Sequence, residues 1–336
     1  MNEETEIFAP KSAKSPELIA DMSCREAALR SIDFYFQNFL WNEKGTRIGK
    51  DPEFLHYFRV ASKRLRVALG VFEEYFPEED IKRYRNALKS FSLIFGKARD
   101  TDVYLEFLND KISKPMSLKE LMVFNKYKNF FLRRKKFRQK AVLKKLDSEE
   151  YKMFVGEFES FIVRSRKPEK GRVEAPVSEF IDRKIGLKLE KLFARSRRLN
   201  PKSSDSKLHK FRIKCRKLRY QVEIFLKITG SRGEELDRIL IELQRSLGAH
   251  HDAVTAGKKL NSFIRAHKEY SKSGALKRLH FQLATKREIP GPAFYAAGAG
   301  LDGILFRGSR GRSLSIRAGG KADYPVFEGR NRSLEW

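Results

Sequence analysis

Two stretches of the chain place a histidine and several cations at one fixed spacing. The first reads Leu55-His56-Tyr57-Phe58-Arg59 and continues through Lys63, Arg64, Leu65 and Arg66 to Phe72. The second reads Leu208-His209-Lys210-Phe211-Arg212 and continues through Arg216, Lys217, Leu218 and Arg219 to Phe225, at a constant offset of 153 residues. Farther along, Leu88, Phe95-Gly96 and Asp100 match Leu240, Leu247-Gly248 and Asp252 at an offset of 152, so one residue is gained or lost between the blocks. A pattern that recurs in both halves reads as one design used twice. Its residue types suit an anion with many oxygens. Arginine offers forked donors, lysine a compact charge, and histidine a proton exchanged near neutral pH.

These residues need helices to align them. Asp51-Pro52 reads as an N-cap followed by proline at the first helical position, and Ser204-Asp205 holds the equivalent place. With His56 at 0° and about 100° per residue, Phe54, Phe58, Ala61, Leu65, Leu69 and Phe72 fall within roughly 140–220°, the face that must enter a core. Arg59, Lys63 and Arg66 fall at about 300°, 340° and 280°, on the opposite side with His56. The second stretch repeats this, with Leu218 and Phe225 inward and His209, Arg212, Arg216 and Arg219 outward. An isolated basic stripe is ordinarily a solvated face. Here it lacks interleaved carboxylates for i,i+4 pairs, recurs in the other half, and carries a histidine at the same place each time. Arg64 and Lys217 sit at about 80° on the wheel, nearer the boundary.

Apolar residues recur at three- and four-residue spacing through most of residues 21–285, and no run of strands is apparent, so the fold class is all-α. Helices are expected at about 21–42, 52–75, 78–95, 99–113, 117–146, 148–165, 177–198, 205–228, 232–247, 251–270 and 273–287, arranged as antiparallel bundles. The charged stretch from Lys167 to Pro176, with Gly171 and two prolines, reads as a linker between a first bundle, 21–166, and a second, 177–287. Residues 1–20 form an extension. Residues 290–336 hold nine of the 21 glycines without helical periodicity and read as a poorly ordered tail.

Composition sets the class of partner. The chain has 336 residues, 41% of them hydrophobic, with 71 Lys+Arg against 43 Asp+Glu and a formal charge of +28. That length can bury a core, and that field attracts polyanions. The tail accounts for only +3 of the charge. The two cysteines, Cys24 and Cys215, exclude a disulfide framework and suit a reducing cytoplasm. The acidic, polar start and the lack of any stretch of eighteen apolar residues argue against secretion and membrane spanning.

The two copies, LHYFRVASKRLR and LHKFRIKCRKLR, followed by FGKARDTD and LGAHHDAV, resemble the signature L-H-x-x-R-x-x-x-[KR]-[KR]-L-R of the CHAD family, the conserved histidine α-helical domain. The resemblance covers about residues 20–287. It implies two pseudosymmetric four-helix bundles around a basic cavity or groove that binds inorganic polyphosphate. It also implies ligand contacts at His56, Arg59, Lys63, Arg66, His209, Arg212, Arg216 and Arg219, with Arg64 and Lys217 beside them, and association with polyphosphate granules. The chain departs from the family pattern in having His251 where the first half has Arg99, and a Gly-rich tail where a final helix is expected. A helix from His56 to Arg66 spans roughly 15 Å, so cations at turn spacing can track a flexible phosphate chain.

Rival readings remain open at this level. RNA could use the same basic surface, because phosphate contacts carry affinity without sequence information. The run Arg133-Arg134-Lys135-Lys136-Phe137-Arg138-Gln139-Lys140, then Lys144-Lys145, reads as an exposed face, a contact for nucleic acid or another polyanion, or a nuclear-type signal. His250-His251-Asp252 raises a metal-dependent phosphohydrolase that recruits His56 and a later Asp. Against it, Asp100 matches Asp252 while Arg99 replaces His251, and neither a GxxxxGK[ST] loop nor a GxSxG elbow occurs. The expectation is a binding module with no catalytic residues, no metal and no cofactor.

Overall fold

The computed structural model describes residues 9–112, 117–167, 176–200 and 203–285. The expected tail at 290–336 and most of the expected linker between Lys167 and Pro176 lie outside the described residues. Among the described residues there are nine α-helices and no strand: α1 Cys24–Ile48, α2 Pro52–Val71, α3 Glu78–Ile112, α4 Leu118–Leu146, α5 Glu149–Ser165, α6 Val177–Ser196, α7 Asp205–Ile224, α8 Leu226–Ala266 and α9 Gly274–Thr285. The fold is therefore all-α. No helix among them is long and apolar enough to cross a membrane.

Local start signals act as read. Asp51 accepts from the Glu53 backbone N–H with Pro52 in the first turn of α2. Ser204 accepts from the Lys207 N–H at the start of α7. The inward face of α2 is buried in full, from Phe54 through Phe58, Ala61, Leu65 and Leu69 to Phe72. Phe58 is held between the Phe39 ring of α1, 4.4 Å away, and the Phe95 ring of α3, 4.6 Å away. A phenylalanine buried so completely contributes about 1.5–3 kcal/mol, and it fixes the rotation of α2 about its own axis.

Two expected boundaries are corrected. The separate helices at 78–95 and 99–113 are the single α3, and those at 232–247 and 251–270 lie within the single α8 and the short turn after it. Gly96 and Gly248, at the expected breaks, sit buried inside continuous helix. The apolar period does not stop at Gly96: Phe91, Phe95, Ala98, Leu105 and Leu108 are all buried, so packing on both sides outweighs the roughly 1 kcal/mol that a helical glycine costs. α8 does break, but at Gly230, whose φ of 52° and ψ of −136° leave the helical region.

Three hydrophobic cores result. One joins α1, α2, the first half of α3, the end of α4, α5 and the start of α6, and takes in Ile224 and Phe225 at the end of α7. A second joins α6, α7 and the first half of α8. The third, around Tyr104, Tyr127, Phe131, Leu260 and Phe263, takes residues from both sides of the 167–176 stretch. Because α3 and α8 each run from another core into the third, they act as struts beside α2 and α7.

Candidate functional site

Lys63 and Arg66 of α2 and Arg216 and Lys217 of α7 line one cavity of about 1030 Å³. Two helix faces, 153 residues apart in sequence, thus meet across a single space. Other elements widen the basic wall: α3 contributes Lys82, Arg85 and Lys89, and α6 contributes Lys188. Glu73, Glu74 and Glu78 lie in the same lining, so the charge is graded along it. Arg59, His56, Arg212 and His209 stand one to two turns earlier on α2 and α7 and continue the two faces beyond that lining.

The cations crowd one another, and the electrostatics record it. Burial, then the Arg59, Arg216 and Arg212 guanidiniums, bring the Lys63 ammonium down to about 6. Burial, then Lys217 and Lys184, bring Lys188 down to about 8. Arg216 is lowered by burial and by Arg212, Arg59 and Arg66. Arg66 is lowered by burial and by Arg85, and it has no carboxylate within 4 Å among the described residues. The histidines follow the same rule. His56 is lowered by burial and Arg99, His209 by burial, Arg212 and Arg216, and His251 falls to about 4 through burial, Arg212 and His209. Each of these lysines and histidines gains its proton more easily when an anion enters.

Gly96 and Gly248 also lie against this site. A Cβ at 96 would stand 3.7 Å from Nε of Arg59, and one at 248 would stand 3.8 Å from Nε of Arg212. Each guanidinium thus lies across its glycine at ordinary van der Waals distance for a Cβ. Both Nε atoms are buried without a hydrogen-bond partner, and Arg59 Nη2 lies 3.3 Å from an Asp100 carboxylate oxygen. Two matched arginines are thus laid over two matched glycines.

The other residues singled out from the sequence are placed as follows. Arg64 is buried away from the cavity: its Nε donates to Glu223 Oε2 at 2.8 Å while Nη1 donates to the Ala13 carbonyl at 3.1 Å. Its wheel position near the apolar boundary explains this. Arg219 is held by the same carboxylate, Nε to Glu223 Oε1 at 2.9 Å, and lies 3.8 Å from Asp237; this i,i+4 pair corrects the expectation that the stripe lacks carboxylates, which holds for the first copy and fails for the second. Glu223 stands where the first half has Gly70, so the two copies differ at this end. His209 and His251 stack at 4.4 Å with their Nδ1 atoms 3.1 Å apart, which requires one of the pair to accept and hence be neutral there. His250 takes a different partner, its Nε2 at 3.0 Å from Asp205, so His250 and His251 do not converge. Arg99 pairs with Glu53 at 2.9 Å and Glu106 at 3.1 Å. Cys215 is buried behind the α7 face, its thiol pushed up to about 12 by burial.

Lys82, Arg85, Lys89 and Lys188 are not marked by the repeat. The first three are legible in principle, since they recur at i, i+3 and i+7 along α3. Lys188 is not, because its position depends on how α6 crosses α7.

A family model described as CHAD domain matches residues 30–261. No curated protein matches the sequence. Among solved structures, the chain is similar to the CHAD domain from the plant Ricinus communis, with a TM-score of 0.72 at 22% identity, covering 88% of this chain and 96% of that one. It is also similar to PptA from Streptomyces chartreusis, with a TM-score of 0.63 at 15% identity, covering 82% of this chain and 99% of that one. At these identities the likeness is one of fold.

Proposed function

Because the chain belongs to the CHAD domain family, whose model it matches over residues 30–261, we propose that it binds inorganic polyphosphate in the groove between α2 and α7 and does not transform it. The observation that carries this reading is that Lys63 and Arg66 of α2 meet Arg216 and Lys217 of α7 around one cavity, with the Lys63 amine crowded by neighbouring cations. Such crowding costs free energy until an anion relieves it. A chain with about one charge per phosphate supplies many oxygens at short intervals, and guanidiniums and ammoniums at turn spacing can each take one.

In this reading Arg59, Lys63, Arg66, Arg212 and Arg216 neutralise the chain, while Lys188, Arg85 and Lys217 extend the wall along it. His56 and His209 add charge as they take up protons. Arg64 and Arg219 belong to the Glu223 network that holds α2 to α7. His250 and His251 pair with Asp205 and His209 instead of with a common point, which favours binding over metal-assisted hydrolysis.

Displacement of labelled polyphosphate from the purified protein by unlabelled polyphosphate, RNA and heparin tests the ligand. Unlabelled polyphosphate should displace the label at the lowest charge concentration; RNA that displaces it equally well would overturn the assignment. Gel analysis of the polyphosphate after incubation with divalent cations tests the absence of catalysis. Unchanged chain length is expected, and progressive shortening would refute it.

A further inference from the structure

We propose that the outward face of α4 is a second binding surface, for single-stranded nucleic acid, distinct from the groove. From Leu121 to Leu146 this helix holds ten Lys and Arg and no Asp or Glu. Its apolar face is consumed by the protein, with Phe124, Tyr127, Phe131, Val142 and Leu146 buried. On the other side Arg133, Lys136, Phe137, Lys140 and Lys144 are all exposed. Their spacing of i, i+3, i+4, i+7 and i+11 confines them to about 100° of the helix and spreads them over about 16 Å. Among the described residues none of these four cations has a carboxylate within 4 Å, whereas the flanking Lys135 and Lys145 are tied to Asp102 and Glu150.

The occupant follows from what stands amid these cations. Phe137 is 65% exposed, and the Arg138 guanidinium lies 5.6 Å from its ring centre. An exposed ring with an adjacent guanidinium offers a stacking platform for a base, while the cations on either side meet the phosphates. A bare phosphate chain would have no use for the ring. An anionic membrane would need a broader apolar strip than Phe137 and the partly exposed Leu132 supply, because the exposed Leu118 and Met122 lie about 22–28 Å away along the helix. Single-stranded RNA or DNA satisfies both the charge and the ring.

The test is fluorescence anisotropy of the full chain with a labelled, unstructured RNA of about 20 nucleotides, long enough to cover the face. Phe137→Ala should weaken RNA about tenfold with the salt slope unchanged, and Phe137→Trp should restore it. Lys136→Ala with Lys140→Ala should weaken RNA and flatten the slope by about 1.4, at about 0.7 per contact. Neither change should alter polyphosphate affinity, and melting curves should match the parent because the side chains are exposed. The proposal is overturned if RNA binding survives all α4 changes but is lost in Arg59→Ala with Arg212→Ala, which would put RNA in the groove. It is also overturned if anionic phospholipid vesicles bind through Phe137 while RNA does not.

Discussion

Phe72 and Phe225, which hold the same place in the two copies of the sequence pattern, meet each other edge to face with ring centres 5.8 Å apart. Both are fully buried. A residue that touches its own counterpart lies where the two copies face one another, and Lys63 and Arg216, nine positions earlier in each copy, line the same cavity. The Phe72 and Phe225 pair thus sets the spacing of the two basic faces.

Truncation at that contact should therefore harm both stability and binding. Phe72→Ala is expected to cost about 3–5 kcal/mol in urea unfolding. In the fraction that remains folded, polyphosphate affinity should fall, although the ring touches no ligand. Unchanged affinity would detach the contact from the site.

Glu223 ties Arg64 of α2 to Arg219 of α7 with no exposure of its own. Glu223→Ala leaves the buried Arg64 guanidinium uncompensated and Arg219 without its nearest carboxylate, and a loss of about 3–5 kcal/mol is expected. Arg64→Ala should likewise destabilise, yet under conditions where the protein is folded it should bind polyphosphate as tightly as the parent. A loss of affinity larger than that of Arg66→Ala would return Arg64 to the ligand set.

Gly96 lies beneath Arg59 at ordinary contact distance for a methyl group. Gly96→Ala should be tolerated and should add up to about 1 kcal/mol of helix stability. Gly96→Leu should push the guanidinium aside and weaken polyphosphate about tenfold, in line with the loss of one charge-assisted contact of about 1.4 kcal/mol. Equal affinity in the leucine variant would show that the Arg59 placement is not used.

The Lys63 amine gives the pH dependence. Its value falls from 10.5 to about 6 on folding, so across that window the unfolded chain holds a proton that the folded chain has released. Stability of the unliganded protein should rise with pH through that range and decline as pH falls toward 6. An anion in the groove reverses the preference, so binding should take up protons at about pH 7–8 and tighten as pH falls. Calorimetry in two buffers of different ionisation enthalpy measures the uptake. Lys63→Met should abolish most of it near pH 8, leave the part due to His56, His209 and His251 at lower pH, and stabilise the unliganded fold by about 1 kcal/mol or more. Uptake unchanged in Lys63→Met would contradict the role given to this amine.

Much of the fold and of the site is legible in the sequence because helical periodicity is a local property. The inward rows of α2 and α7, their caps and their outward cations follow from residue types at i, i+3 and i+4. The continuity of helix through Gly96 and Gly248 is not legible, because a glycine's local cost is overridden by burial on both sides of it, and only the packed structure reveals that burial. Glu223 stands four residues beyond Arg219 in the same helix, so that pair is legible, whereas the partner of Arg64 is hidden for another reason. A wheel shows which side a residue leaves from, whereas Glu223, 159 residues beyond Arg64, arrives through tertiary packing. The contributions of α3 and α6 to the cavity depend on the same long-range crossings.

The most direct measurement is the salt dependence of long-chain polyphosphate affinity in the parent, in Arg59→Ala with Arg66→Ala, and in Arg212→Ala with Arg216→Ala. If about six phosphates are neutralised, the parent slope of log K against log salt should be near −4, at about 0.7 per contact, and each double variant should flatten it by about 1.4 and weaken binding. A parent slope near zero, or full affinity retained when either face is removed, would contradict a single polyphosphate site shared by α2 and α7.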